Sequence, residues 1–201
     1  TVRVQGSLQC PHYVQKALVR ALGIPPEQAR VVQAATGGGF GGKEDYPSCI
    51  ALHAALLAMK AGAPVKIVYD RAEDIAVTTK RHPARVRHRL GLRGDGTLVA
   101  ADVQVLIDGG AYSSFGLVTT YYSGQLLCAP YEFGAYRFDS TRVVTNKPAC
   151  GPKRGHGSVQ PRFAFESQLD EIAHALDVDP IELRRRIAAI ATPSSAIRAS
   201  S

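Results

Sequence analysis

The chain is predicted to be an α+β protein with mixed helices and short sheets, including at least one antiparallel hairpin. Helix-like and strand-like segments follow one another irregularly, unlike the regular βαβ order of a doubly wound sheet. Two segments of strand pattern, 86–92 and 98–107, flank Gly94-Asp95-Gly96, a strong turn signal. The 201 residues, 45% of them hydrophobic, suffice for one core or two small lobes.

The first part of the chain is predicted to contain three helices and three short strands. Pro11 at a first helical turn, apolar residues at helical spacing and Gly23 as a stop define the first helix. A run dense in Ala and Leu, ended by Gly62, defines the second. The helices are expected at 11–22, 47–61 and 71–79, and the strands at 2–4, 29–34 and 65–69.

The rest of the chain continues with the hairpin, a further strand region and two helices. The region 109–129 is rich in Gly and aromatic residues and fits a helix or a loop. One or two strands are expected within 136–145, and helices at 160–176 and 180–186. The first of these helices is predicted to present one apolar stripe, made of Phe163, Phe165, Leu169, Ile172 and Ala173.

Composition narrows the classes of protein. The formal net charge is +7, and the alternation of Arg85, Arg87 and Arg89 places all three on one strand face. No aromatic residues interleave these arginines, so a solvated or acid-docking face is favoured over a nucleic-acid platform.

No apolar run approaches the length of a membrane span, and a cytoplasmic setting is the default. The cysteines form no CxxC pair, which disfavours an iron–sulfur or zinc site within the chain.

The glycine-rich segment 37–42 is the most informative motif. Five glycines in six residues let the backbone turn sharply and approach a ligand, and exposed N–H groups favour an anion or a polarised oxygen. Gly37 to Lys43 matches the GxxxxGK spacing of a nucleotide P-loop. The match fails at Glu44, where a P-loop needs Ser or Thr to hold magnesium, and Asp45 adds a second repelling carboxylate. Nucleotide hydrolysis is therefore disfavoured, and a purely structural glycine turn stays open.

Several ordered motifs carry a family resemblance. They are Gln9-Cys10-Pro11-His12, Gly37-Gly38-Gly39-Phe40-Gly41-Gly42-Lys43-Glu44, Arg71-Ala72-Glu73-Asp74, Arg81-His82-Pro83, Asp108-Gly109-Gly110-Ala111-Tyr112, Thr145-Asn146-Lys147-Pro148, Arg154-Gly155-His156-Gly157 and Asp179-Pro180-Ile181-Glu182-Leu183-Arg184. Together, over about residues 5–187, they resemble the N-terminal part of the cofactor-binding region in the molybdopterin-binding large subunit of the xanthine dehydrogenase and aldehyde oxidase family, the molybdenum hydroxylases.

The resemblance implies a molybdenum-dependent oxidoreductase. Such an enzyme inserts water-derived oxygen into an aldehyde or N-heterocyclic carbon, with hydride transfer to Mo=S. The implied cofactor is molybdenum-molybdopterin, including its cytosine dinucleotide form. The implied partners are the remaining part of the large subunit, an iron–sulfur domain or subunit with [2Fe-2S] clusters, and an FAD domain or subunit. The family's catalytic glutamate base lies in a segment downstream of this chain, so no catalytic residue is expected here.

The resemblance assigns cofactor-binding roles to six residues: Gln9, Gly38, Gly39, Phe40, Gly41 and Arg154. Three of these, Gln9, Phe40 and Arg154, are expected near the molybdenum ligands, mostly without binding the metal. Gln9 would offer its side-chain amide, Phe40 and Gly41 their backbone N–H groups, and Arg154 its planar fork. The loop that carries Arg154 departs from the family pattern in the two residues before it, Pro152-Lys153, where proline removes an N–H donor.

Three further positions are expected to face a small aromatic or aldehyde substrate. Glu44 stands where purine-hydroxylating members have a glutamate, Tyr122 where they have an arginine, and His156 where many members have a phenylalanine. Tyrosine cannot neutralise developing charge as arginine does, which predicts a pocket that is aromatic and polar without being a purine pocket of the usual kind. Simple pocket lining or core packing stays open for each.

The ends of the chain suggest a fragment. Thr1 stands without an initiator Met, and 191–201 is small, polar and predicted to be disordered or non-native, which leaves 1–190 as a partial molybdenum-cofactor-binding domain. The fragment alone is expected to be inactive. The alternative is a non-catalytic relic or interaction module that keeps the fold and docks partners.

Overall fold

A computed structural model of the chain describes residues 1–127 and 130–189. The predicted tail at 191–201 lies outside these residues. The described elements, in chain order, are β1 Val2–Gly6, α1 Pro11–Leu22, a 3-10 helix Pro26–Gln28, β2 Ala29–Gln33, α2 Pro47–Ala61, α3 Arg71–Val77, β3 Ala84–Leu92, β4 Leu98–Asp108, α4 Gly116–Gln125, β5 Ala135–Val143, α5 Val159–Ala175 and α6 Pro180–Ile187. The α+β class is confirmed.

The chain divides into two compact units. The first comprises Thr1–Pro83, Asp108–Leu117 and Val143–Gly155, and the second comprises Ala84–Ile107, Val118–Arg142 and the described residues from His156 onward. Each unit has its own apolar core, as expected of a chain long enough for two lobes.

The first unit is built on a short parallel sheet covered by α1 and α2. β1 and β2 pair in parallel, with Val2 opposite Ala29 and Gly6 opposite Gln33. The buried core comprises Leu8, Val14, Leu18, Ala29, Ala51 and Ala55. α1 and α2 both end at a glycine in the left-handed conformation, Gly23 and Gly62, as the sequence predicts. α3 begins at a capping box, in which Asp70 accepts from the Glu73 N–H and the Glu73 carboxylate accepts from the Asp70 N–H.

The second unit packs a three-stranded sheet, in the order β3-β4-β5, against α5. The predicted hairpin is confirmed: β3 and β4 are antiparallel, and Gly96 at the turn has a φ of 86°. Inward-facing residues of β4 join one face of α5 in the core, which comprises Leu98, Ala101, Val103, Val105, Ile107, Leu127, Phe165, Leu169 and Ile187. α6 is tied to α5 by Arg184, whose guanidinium pairs with Glu166 at 2.9 Å.

Two sequence expectations are wrong. Phe163 does not belong to the apolar stripe of α5, because it is 75% exposed while Phe165, Leu169 and Ala173 are buried one turn apart. The segment Val65–Tyr69 is not a strand, since its backbone makes no ladder with another described segment. Its alternating pattern is that of a strand, but a strand also needs a hydrogen-bonding neighbour. No helix in the described part of the chain is long and apolar enough to cross a lipid bilayer.

Candidate functional site

Gln9 holds the glycine-rich loop with both its backbone and its side chain. It lies between β1 and α1, and its N–H donates to the Lys43 carbonyl at 2.7 Å. Its side-chain Oε1 accepts from the N–H groups of Gly41 at 3.0 Å and Lys43 at 3.1 Å. A single glutamine therefore fixes the path of a loop that is some 30 residues away in sequence.

Two positions of the loop require glycine because another segment of the chain approaches the backbone closely there. A Cβ on residue 39 would overlap the Gln9 side chain. Gly41 has a φ of 87°, and a Cβ there would stand 2.7 Å from the Pro152 carbonyl oxygen. Gly37, in contrast, would place a Cβ in open space. The glycines at 39 and 41 are required by neighbours on two different segments, whereas that at 37 is not.

Phe40 and Arg154 join the glycine-rich loop to the segment 143–155. The Arg154 N–H donates to the Phe40 carbonyl at 2.9 Å, and the Arg154 guanidinium carbon lies 5.6 Å from the centre of the Phe40 ring. Phe40 has a φ of 50° and its side chain is 66% exposed. Within the described residues the Arg154 guanidinium has no ion pair, so an arginine fork stands next to an exposed aromatic ring at the loop tip.

Arg81 supports Arg154 from a third segment. Its guanidinium donates to the Arg154 carbonyl at 2.8 Å. Nearby, the Gly151 N–H donates to the Lys80 carbonyl at 3.0 Å, and Lys80 forms a parallel bridge with Cys150. Sequence reasoning used Arg81 only as part of a family motif and missed this positioning role. The position of Arg81 directly before His82-Pro83, within a family motif, was the one sequence feature that pointed to a role for it.

The unusual Pro152-Lys153 pair is accommodated by the fold. Pro152 is fully buried, and the N–H that follows at Arg154 supplies the link to Phe40. The Lys153 ammonium donates to the Pro152 carbonyl at 3.1 Å and to the Thr79 hydroxyl at 3.4 Å. Burial lowers the pKa of Lys153 below that of a free lysine, and the positive charge of Lys80 acts in the same direction.

Asp108 organises the other end of the segment 143–155. One carboxylate oxygen accepts from the Gly110 N–H at 2.9 Å and the Thr145 hydroxyl at 2.7 Å, and the other accepts from the Lys147 ammonium at 2.6 Å. The Lys147 hydrogen bond, followed by those of Gly110 and Thr145, holds the pKa of Asp108 well below its usual range. Asp108 thus has a positioning role in the motif Asp108-Gly109-Gly110-Ala111-Tyr112.

Two acidic residues follow the glycine-rich loop. Glu44 is half-buried, and its carboxylate accepts from the Gln9 Nε2 at 3.5 Å, at the limit of a hydrogen bond. Asp45 accepts from the Ser114 hydroxyl with one oxygen. Its other oxygen is buried and has no partner in the part of the chain that the structure describes. Sequence reasoning treated Asp45 only as an argument against triphosphate binding.

Tyr122 and His156, the other two substrate candidates, belong to the second unit. Tyr122 lies on α4, 36% exposed, with its ring 5.6 Å from that of Tyr121. His156 is half-buried and precedes Gly157, which has a φ of 74°. A Cβ on Gly157 would overlap the Thr119 carbonyl of α4, so the segment that carries His156 lies against the helix that carries Tyr122.

The donor set fits an anionic cofactor with polar metal ligands. Within the described residues, the backbone N–H groups of Gly38, Gly39 and Phe40 donate to no protein acceptor. Of the two N–H groups expected at the metal ligands, that of Phe40 is available and that of Gly41 is used by Gln9. Unpaired N–H groups on a glycine loop, with the Arg154 fork beside them, suit phosphate, pterin and metal-ligand oxygens.

Comparisons with known proteins agree with this geometry. Residues 1–188 match the family described as "Molybdopterin cofactor-binding domain". The chain is 38% identical over 178 residues to the nicotinate dehydrogenase large molybdopterin subunit of Eubacterium barkeri, covering 89% of this chain and 41% of that protein. It is 37% identical over 185 residues to the xanthine dehydrogenase molybdenum-binding subunit of Escherichia coli, covering 92% and 24%.

A solved structure extends the comparison to the fold. The aldehyde oxidoreductase of Desulfovibrio gigas superimposes with a TM-score of 0.82 at 31% identity, over 90% of this chain and 20% of that one. The chain spans less than half the length of each of these relatives. The site, the family match and the superposition together place the chain in the molybdopterin cofactor-binding domain family of the molybdenum hydroxylases.

Proposed function

We propose that this chain forms the first part of the cofactor site in the large subunit of a molybdenum hydroxylase. The observation that carries the proposal is the junction of two loops, in which Arg154 donates to the Phe40 carbonyl and stacks on its ring. At this junction the N–H groups of the glycine-rich loop lie beside an arginine that has no ion pair among the described residues. A P-loop would need a hydroxyl where this chain has Glu44.

Each residue of the junction has a distinct proposed role. Gln9 shapes the loop with its Oε1. Its Nε2 donates to Glu44 at 3.5 Å and would offer its second hydrogen to a ligand of the metal. Gly38, Gly39 and Gly41 allow the close approach of the backbone, and Phe40 offers its N–H. Arg154 binds pterin or phosphate oxygens through its fork, since a planar guanidinium suits paired oxygen acceptors. When bound, the molybdenum cofactor supplies the two-electron redox chemistry and the water-derived oxygen.

The proposed substrate is an aldehyde or an N-heterocycle outside the usual purines. Glu44, Tyr122 and His156 would contact it, as a hydrogen-bonding carboxylate, a phenol and an imidazole. A tyrosine at 122 offers a hydroxyl but no permanent positive charge, so it would not stabilise an anionic purine transition state as an arginine does. The catalytic base, the [2Fe-2S] clusters and FAD would come from the remaining part of the large subunit and from partner domains or subunits, in the cytoplasm.

The test uses the longer subunit that contains this chain, matured with its partners. We expect molybdenum and a pterin in the purified complex by elemental and chromatographic assay. In H₂¹⁸O, we expect ¹⁸O in the product of an oxidised aldehyde or N-heterocycle. A correctly folded and matured complex that retains no molybdenum would contradict the proposal and favour a non-catalytic interaction module. The 201 residues alone are expected to show no turnover, because the proposed catalytic base belongs to the remaining part of the large subunit.

A further inference from the structure

One edge of β1 has no strand beside it among the described residues. β1 pairs with β2 along its other edge, where the Gly6 carbonyl accepts from the Ala34 N–H at 2.8 Å. Successive residues of a strand direct their N–H and C=O groups to opposite edges. Val2 and Val4 therefore share the direction of Gly6, toward β2. The backbone groups of Arg3 and Gln5 point to the opposite edge, where no described strand pairs with them.

The segment Val65–Tyr69 lies across from this edge with unused backbone groups of its own. Val65, Ile67 and Tyr69 are half-buried, whereas Lys66 and Val68 are exposed, which is the alternation of a half-buried strand. No backbone N–H or C=O from 63 to 69 is hydrogen-bonded within the described part of the chain. This is the segment where a strand was predicted and a ladder is lacking.

A groove of about 900 Å³ separates the two segments. Consecutive residues line it on both sides, Thr1–Leu8 on one and Gly62–Ile67 on the other. Because strand side chains alternate between the two faces of a sheet, a groove over one face would be lined by alternate residues. This groove is lined by consecutive residues and therefore runs along the strand edges. α2 forms the floor with small and apolar side chains, namely Ile50, Ala54, Ala58 and Met59. The groove thus offers two backbone edges and an apolar floor.

We propose that this groove receives one β-strand from the remaining part of the large subunit. The strand would pair with β1 on one side and with Val65–Tyr69 on the other, turning the two-stranded sheet into one of four strands. β-Strand addition of this kind draws its stability from main-chain hydrogen bonds and its specificity from alternate side chains. The inference rests on the proposed function only in that the chain is part of a longer subunit.

The lining predicts the chemistry of the incoming strand. Its inward residues should be large or β-branched and apolar, because the floor beneath them includes four small alanines, Ala51, Ala54, Ala55 and Ala58. Its outward residues should include a carboxylate, because Arg3 and Lys66 are exposed basic side chains on the two flanking segments. The strand should be about five residues long, to match the five residues of β1.

The length of the relatives favours the same polypeptide as the source. This chain covers 41% and 24% of the two curated relatives described above, which leaves ample sequence for a further strand. A second copy of the chain is a poorer occupant. Its own β1 edge faces Val65–Tyr69 across the same groove, so two copies that joined their β1 edges would leave both Val65–Tyr69 segments without a neighbouring strand.

Hydrogen exchange on the longer subunit, prepared without cofactor, tests the proposal. We expect the amides of Val65–Tyr69 to exchange about ten-fold or more slowly than unprotected amides, as members of a ladder. Gln5→Pro removes an N–H that points into the groove and leaves the β1–β2 bonds in place, whereas Gln5→Ala keeps that N–H. Gln5→Pro should abolish the protection of Val65–Tyr69 while β2 amides stay protected, and Gln5→Ala should change neither.

Two results would overturn the inference. One is unprotected exchange at Val65–Tyr69 in the wild-type protein, which is a measurement that does not depend on any variant folding. The other is protection that disappears when the subunit is diluted from dimer to monomer, which would assign the groove to a second copy. Neither readout involves molybdenum or turnover, so a failure here is separable from a failure of the proposed enzyme activity.

Discussion

The side chain of Gln9 occupies the space that a Cβ on Gly39 would take, while its Oε1 accepts from the N–H of Gly41. The loop can follow this path only if residue 39 is glycine. We predict that Gly39→Ala displaces Gln9 and lowers the molybdenum content of the matured subunit severely. The expected cost to stability is about 1–3 kcal/mol, as for overpacking elsewhere. Elemental analysis and thermal unfolding measure the two effects.

Gly37→Ala is the matched control in the same loop. Its added methyl group would meet nothing within 4 Å. The residue has no left-handed conformation, so no backbone strain is introduced. Wild-type molybdenum content is therefore expected for Gly37→Ala. Equal losses in the two variants would show that any substitution in the loop disturbs loading, and would remove the specific role assigned to the Gln9–Gly39 contact.

Substitution of Gln9 itself separates holding the loop from binding the cofactor. Gln9→Ala removes the acceptor of two N–H groups and should lower the free energy of unfolding by about 1 kcal/mol. Gln9→Glu keeps an acceptor for Gly41 and Lys43 but loses the amide donor and adds a charge next to Glu44. We expect Gln9→Glu to unfold near the wild-type temperature and yet to retain little molybdenum. Full molybdenum content in Gln9→Glu would restrict Gln9 to shaping the loop.

Asp108 should make the stability of the first unit depend on acidic pH. Because its pKa is lower in the folded than in the unfolded state, the carboxylate stabilises the fold at and above the unfolded value of about 4. This contribution is lost as pH falls through the folded-state pKa. The wild type should therefore melt above Asp108→Asn at pH 7, and the gap should close in acid. A gap that is constant from pH 7 down to the acid transition would show that the charge is not responsible.

Local patterns predicted most of the helices and strands, because each pattern is read within a few residues. Pro11, Gly23 and Gly62 mark helix ends that the structure reproduces, and the turn at Gly96 fixes the hairpin. Val65–Tyr69 failed because a ladder depends on a partner that periodicity cannot reveal. Phe163 failed because it stands two residues before Phe165, about 200° around the helix, and therefore lies on the opposite face from Phe165, Leu169 and Ala173.

The candidate site was predictable only in part for a similar reason. The family motifs named Gln9, Phe40 and Arg154, and the structure joins all three through the glycine-rich loop. They could not show that the N–H of Gly41 is used by Gln9. Nor could they show that Arg81 supports the carbonyl of Arg154 across 73 residues of sequence. Such links between distant segments depend on tertiary packing.

Lys153 should oppose folding slightly in its charged form. Burial lowers its folded-state pKa, so the unfolded chain binds more protons in the window between the folded-state pKa and the ordinary lysine value of about 10.4. The destabilisation of the fold by charged Lys153 is therefore fully present at neutral pH and disappears as pH rises through this window. Lys153→Met, of similar length, should melt at or above the wild type at pH 7, and the difference should shrink toward pH 10. An opposite trend would show that the hydrogen bonds to Thr79 and Pro152 outweigh the burial of the charge.

Tyr122 should set the preference between purine and non-purine substrates. We expect the matured wild-type enzyme to favour an aldehyde or a simple N-heterocycle over a purine, because a phenol cannot neutralise an anionic transition state. Tyr122→Arg places a permanent charge at this position of α4 and should raise kcat/KM for a purine relative to the wild type, by about ten-fold. Tyr122→Phe is the control, since it keeps the ring without charge or hydroxyl and should leave the ratio of the two substrates near that of the wild type. If Tyr122→Arg and Tyr122→Phe change this ratio equally, residue 122 acts by packing alone, and the specificity must arise from Glu44, His156 or the rest of the subunit.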